Sequence, residues 1–295
     1  MGETASTVAA DRPASAVVRA WRQVWPAHGR HWAFRIGLAL FVIVGLLSLC
    51  APLLCPHDPA TQSLMRRLAQ PSMQHWLGTD HLGRDVASRL LMGGRFALVI
   101  AATTLVLSCV IGTIVGVVCA RRGGTVDEVG MRTVDLLISF PDVVVAVFLT
   151  AILGTGTWTL ILALTLVGWT PFARLARGLA LDINNRDYIR AAEVLGCSQA
   201  FIIFRHIIPN AARPIAAISF LRFGHKLITV GGLSFIGLGV QPPTPDWAAM
   251  MAEAQPFIER APWLVICPGL AIFLTALSVT WIGQGLDAQA AKGLT

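Results

Sequence analysis

Charge is what this chain has least of. Asp, Glu, Lys and Arg make up 13% of its 295 residues against 55% hydrophobic residues, and the mean hydropathy is +0.67. That balance excludes an ordinary soluble core of this size and points to the bilayer. Catalytic signatures are missing as well: the sequence has no Gly-x-x-x-x-Gly-Lys-Ser/Thr phosphate loop, no nucleophile elbow and no paired-histidine zinc-protease motif. No catalytic residue and no cofactor is assigned. The six cysteines form no disulfide framework, since Cys109 and Cys267 fall inside apolar runs and Cys50 and Cys55 are close neighbours in one stretch of chain. The first apolar run begins only near Ala33 and is too long for a signal peptide. A net charge of +7 does not read as nucleic-acid binding, because the basic residues sit in short connectors between apolar stretches.

What is present is a series of apolar runs, each near the roughly 20 residues that a helix needs to cross a bilayer. Six are placed, at roughly residues 34–54, 96–120, 133–153, 157–172, from 214 onward and 262–283, giving an all-α membrane protein of about six transmembrane helices. Gly112 and Gly116 in the second have a spacing that admits a close helix neighbour, although with 27 glycines chance accounts for it equally well. Pro141 interrupts the third, either as a kink facing a pore or as a packing feature. Lys and Arg counts set the orientation. With both termini cytoplasmic, fifteen of the 23 basic residues fall inside, while Arg66, Arg67, Arg84, Arg89, Arg95 and Arg260 fall outside.

The stretch from Arg186 through Asp187, Tyr188, Arg190 and Gly196 to Pro209 reads as a short helix, a glycine break and a second helix. Tyr188, Ala191, Ala192 and Leu195 recur at helical spacing, an apolar stripe on a helix too polar elsewhere to span a membrane. Such a stripe needs a partner to cover it. Here the chain resembles the permeases of ABC importers, whose cytoplasmic EAA loop docks into a groove on the ATPase. Ala191, Ala192 and Gly196 fall on that pattern, with Pro209 at its far end, whereas Arg190 stands where the loop has a glutamate and His206 where it has an aliphatic residue.

A second segment, His75-Trp76-Leu77-Gly78-Thr79-Asp80-His81-Leu82-Gly83-Arg84-Asp85, is similar to the one preceding the second span in peptide and nickel permeases. Leu233 to Trp247 is similar to the companion signature of that family's C-type subunit. The tail, Gly283-Gln284-Gly285-Leu286-Asp287, departs from the family's Gly-Asp-Gly. The resemblance implies a type I ABC importer transmembrane domain that forms half of a pore for short peptides, nickel or metal chelates. It implies a B-type permease partner, two ATP-binding-cassette ATPase subunits to supply the hydrolysis, a solute-binding protein outside and membrane lipid around, with no nucleic acid. The implied organisation is a cytoplasmic segment at 1–33, a permease domain at 34–284 with an exterior loop near 55–95 and a cytoplasmic coupling loop near 174–213, and a cytoplasmic tail at 285–295. The implied location is the bacterial inner membrane.

Three sets of side chains carry functional expectations. Asp187, Tyr188, Arg190, Ala191, Ala192, Leu195, Gly196 and Pro209 form the coupling segment. Trp76, Asp80, His81, Arg84 and Asp85 are candidates for the exterior mouth, although Arg84 beside Asp85 reads equally well as a local ion pair. Arg222, His225 and Lys226 share a helix face and either line the translocation path or lie wet at the helix's inner end. His57, Asp58, His75 and His81 match no compact ligand spacing, so no metal site is assigned. Gly224-His225 and Gly78-Thr79-Asp80-His81 lean slightly toward the nickel branch. An ion-gradient-driven secondary transporter is the alternative, but it needs buried acidic coupling groups, and the spans hold few besides Asp135 and Asp142.

Overall fold

The computed structural model describes residues 27–292; Arg12, Arg19 and Arg22 of the orientation count, and most of the segment 1–33, lie outside the described residues. Among the described residues the regular structure is helical, with one isolated bridge between Thr79 and Asp85. In hydrocarbon a helix satisfies its own backbone groups, so apolar composition and helical architecture go together. The order is α1 (Ala27–Leu49), α2 (Ala51–Leu54), α3 (Val86–Arg122), α4 (Gly124–Ile138), α5 (Asp142–Leu153), α6 (Thr157–Gly168) and α7 (Thr170–Asn184). There follow α8 (Asp187–Val194), α9 (Gln199–Ile202), a π turn at Ile203–Ile207, α10 (Ile208–Phe235), α11 (Trp247–Ala254) and α12 (Trp263–Lys292).

Four stretches are long and apolar enough to cross a membrane, at Trp32–Leu49, Val86–Arg122, Thr157–Asn184 and Trp263–Leu286, and the bent pair α4–α5 makes a fifth if taken as one span. α10 has the length, at 28 residues, but Arg222, His225 and Lys226 dilute its apolar character. The expected third span is therefore not one helix. It breaks at Ser139-Phe140-Pro141, and α5 leaves α4 at 83°. The helix that holds the expected fifth span begins at Ile208, with Pro214 inside it. The second starts at Val86, well before the apolar run: its 37 residues rise about 55 Å, beyond the roughly 30 Å of a hydrocarbon core.

Small residues form the interior. Ala97, Ala101, Phe172, Ala176, Ala180 and Phe223 belong to one buried cluster, whereas Ile43, Leu46, Val106, Ile114, Leu162 and Phe273 point outward and exposed. In water such faces would be an aggregation liability; against lipid they are the expected surface. Gly112 and Gly116 lie where α3 meets α7. A Cβ on Gly112 would run into the Trp169 carbonyl and Phe172, and one on Gly116 into the Ala173 carbonyl and the Arg177 amide. Here the small-x-x-x-small spacing has a structural cause: the two backbones touch.

Replacing Gly116 with valine should therefore destabilise the fold by about 1–3 kcal/mol. The expected reading is a lower unfolding temperature in detergent, with Gly45→Val, whose Cβ meets nothing within 4 Å, leaving it unchanged.

Candidate functional site

The cytoplasmic-loop candidates lie on α8 and the turn after it. Ile189 and Ala192 are buried against the cluster that also holds Ile183, Ile202 and Ile207, and they fix the helix to the body of the protein. Asp187, Tyr188, Arg190, Ala191 and Leu195 are exposed. The predicted stripe is thus divided, with Ala192 turned inward and Tyr188, Ala191 and Leu195 outward. Gly196 adopts φ +77°. Its N–H donates to the Glu193 carbonyl and that of Cys197 to the Ala192 carbonyl, both at 3.0 Å, which is the paired closure of a Schellman motif. Pro209 is exposed in the first turn of α10, where its missing N–H costs nothing. Arg121, at the end of α3, reaches across to this segment: it donates to Glu193 at 2.8 Å, to Asn184 at 3.0 Å and to Gln199 at 2.9 Å.

Most of the exterior-mouth candidates are buried. Arg84 does not pair with Asp85. Its Nε donates to Asp80 at 2.6 Å and its NH2 to Glu253 at 2.6 Å, and Arg89 reaches Glu253 at 3.2 Å. Two guanidiniums and two carboxylates so form a knot between the segment before α3 and α11. Asp85 instead caps α3, accepting from the Ser88 amide and hydroxyl, and also contacts the His75 Nδ1 at 2.8 Å. His81 stacks on Phe257 at 5.7 Å, and Trp76 alone of the five is well exposed.

His57, His75 and Asp85 bring potential ligand atoms within 4.8 Å of one another. Those of His75 and Asp85 are already engaged, since Arg66 lies 3.3 Å from His75 Nε2 and Asp85 serves the helix cap, while the His57 ring lies 3.8 Å from Asp85. The arrangement is a polar hydrogen-bonded knot. Burial pushes the neighbouring Cys55 thiol up from its ordinary pKa, away from thiolate reactivity.

The two family-like motifs meet here. Trp247 covers Gly94, where a Cβ would come within 2.6 Å of the indole, and its Nε1 donates to the Leu90 carbonyl at 2.7 Å. Asp246 caps α11 by accepting from Ala248 and Ala249; burial pushes its carboxyl up, and those amides oppose the shift.

Arg222, His225 and Lys226 come together with the α4–α5 break. They line a cavity of about 220 Å³ with Phe140, Pro141 and Asp142. Lys226 is buried and donates to the Leu164 carbonyl at 3.0 Å, while His225 is exposed. Glu253, Arg121 and Asp142 were not singled out as site residues from the sequence. Arg84 and Glu253 are 169 positions apart and Arg121 and Glu193 are 72 apart, so no local spacing links them; for Asp142 the signal was an acid next to the proline break. Glu253→Leu would leave Arg84 and Arg89 with Asp80 alone, a loss of about 1.5–3 kcal/mol, expected as a lower unfolding temperature that Glu253→Asp partly restores.

Comparison with known proteins agrees with this architecture. Residues 112–292 match the family model described as binding-protein-dependent transport system inner membrane component, and residues 19–71 match the N-terminal TM domain of oligopeptide transport permease C. The chain is 38% identical over 268 residues to a glutathione transport system permease protein of Pectobacterium atrosepticum, covering 90% of this chain and 89% of that one. It is 33% identical over 255 residues to a nickel transport system permease protein of Escherichia coli, covering 86% and 92%. It is also 33% identical over 269 residues to a dipeptide transport system permease protein of Alkalihalophilus pseudofirmus, covering 91% and 88%. These relatives favour ATP-driven import over the ion-gradient alternative. With its spans, its break at Pro141 and its paired motifs, the chain belongs to the inner-membrane permease subunits of binding-protein-dependent ABC importers, a transport component and not itself an enzyme.

Proposed function

We propose that this permease forms one half of a heterodimeric pore with a B-type partner, seated on two ATPase subunits and supplied by an extracytoplasmic binding protein. Both termini lie in the cytoplasm, as the distribution of lysine and arginine favours. Residues 34–284 form the permease domain, and 285–295 a cytoplasmic tail. The cargo is a short peptide or a metal chelate, in keeping with relatives named for glutathione, dipeptide and nickel transport.

The observation that carries the coupling role is the outward face of α8 and its turn. Tyr188, Leu195, Phe201 and Phe204 are each exposed in the stretch between α7 and α10, with Leu195 at 80%, although the segment is well anchored by Ile189 and Ala192. An anchored apolar face on a polar helix is suited to a groove on another protein. Asp187 and Arg190 flank that face and Pro209 ends the segment; Gly196 sets the angle between its two helices.

The mechanism that follows is alternating access. Closure of the ATPases on ATP displaces α8, Arg121 carries the displacement to α3, and the outer end of α3 is held by the Asp80, Arg84, Arg89 and Glu253 knot. The spans then reorient around the cavity at Arg222, His225 and Lys226, which we assign to the translocation path. Trp76 and His81 lie at the exterior mouth. Asp80, Arg84 and Asp85 support that mouth from beneath.

Ala191→Arg or Leu195→Arg should reduce co-purification of the ATPases at least tenfold, since a charge forced into an apolar contact costs more than about 1.4 kcal/mol. Wild-type co-purification and uptake in both variants would sink the docking assignment. Arg121→Met should separate the two readouts, with ATPases still bound and uptake falling several-fold; equal loss of both would instead make Arg121 a folding residue.

A further inference from the structure

The cavity at the α4–α5 break has an unbalanced charge. Arg222, His225 and Lys226 enter it from α10, and Asp142 from the first turn of α5 is the one acidic group in its lining. None of these basic groups forms a salt bridge with Asp142. The carboxylate accepts from the following amide of Val143 at 3.0 Å, Lys226 is held by the Leu164 carbonyl at 3.0 Å, and His225 Nδ1 lies 3.3 Å from the Thr229 hydroxyl of its own helix. Among the described residues Arg222 has neither a hydrogen bond nor an ion pair. One carboxylate is shared there among three basic side chains, so the lining keeps an excess of positive charge, which is costly within a long apolar helix unless something anionic meets it. Its planar fork suits a carboxylate, which it binds through two parallel N–H bonds.

From this we infer that the cavity is a carboxylate-binding station on the translocation path, which takes the anionic end of the cargo. The inference rests on the permease reading above and narrows its cargo. At about 220 Å³ the space is below the roughly 300 Å³ at which sites for whole small molecules begin, so it holds a terminal group while the remainder extends toward the exposed side of His225. Gly168 keeps the floor open: a Cβ there would come within 2.6 Å of the Lys226 ammonium. A bare divalent cation would be repelled by this lining. A peptide, or a metal carried by a carboxylate chelator, would be accepted.

The test is uptake by the complete importer, expressed with its binding protein and ATPases. The probes are labelled alanyl-alanine, glutathione, Ni²⁺ alone and Ni²⁺ with excess histidine, in a strain lacking this chain and complemented with wild type, Arg222→Gln or Arg222→Lys. Rates are divided by the amount of assembled complex recovered from the membrane. The expected result is that a carboxylate-bearing probe depends on the chain. Arg222→Gln lowers its maximal rate at least tenfold without moving the half-saturating concentration, and Arg222→Lys, which keeps the charge but loses the fork, restores only part of it. Wild-type rates for Arg222→Gln, or dependence confined to Ni²⁺ alone, would overturn the carboxylate station and leave the importer reading standing. Loss of assembled complex with normal uptake per complex would also overturn it and would make Arg222 a contact to the partner permease. If no probe depends on the chain, the proposed cargo class falls together with the station.

Discussion

One unbroken helix, Val86–Arg122, is the constraint on which the rest of the structure depends. It is longer than the bilayer core is thick, so both of its ends stand in polar surroundings, and each end is tied down by charge. Asp85 caps the N-terminal end, and Arg89 sits in the knot with Glu253. Arg121 holds the other end to Asn184, Glu193 and Gln199. Between them, Gly112 and Gly116 bring α7 to backbone contact. A helix fixed at both ends and clamped in the middle is suited to move as a rod, which is what the proposed coupling requires.

The ion pairs away from this rod repeat the same logic on a smaller scale. Arg177 chelates Asp127 through two bonds at 2.5 Å, and Arg174 reaches Asp135 at 2.6 Å. Both pairs fasten α4 to α7 and leave α5, beyond the 83° break, joined mainly to α6. The break therefore lies between a clamped helix and a freer one. That position places Asp142 and Pro141 beside the cavity and not in the packed interior.

Much of the fold was legible because apolar runs report directly on burial in lipid. The glycine break at Gly196 was legible too, since a left-handed turn has few other solutions. What the sequence concealed were relations between distant residues. Arg84 beside Asp85 suggests a pair, yet the side chains diverge, one to Asp80 and Glu253 and the other to the helix cap. Gly78 and Thr79, which leaned the reading toward one cargo, are engaged in local structure: Gly78 at φ +73°, Thr79 buried and bonded to Ala69. Gly224 packs against Val279 of α12. Residues fixed by such contacts say little about what passes through the pore.

The helix that apolarity identifies least well is also the one that carries the candidate path. α10 is long enough to cross but falls short in hydropathy, because Arg222, His225 and Lys226 are grouped within its length. The proposed path gives this a physical reason. A span wholly surrounded by lipid or packed neighbours has no use for ionisable groups and loses stability by holding them, whereas a span that borders a water-filled path can keep them hydrated and use their charge. Ile228 and Phe235 on the same helix stay apolar and exposed, so from Arg222 onward its ionisable groups keep to one side. Ionisable groups kept to one face of such a helix are then themselves a signal, and here they mark the face that the proposed path would use.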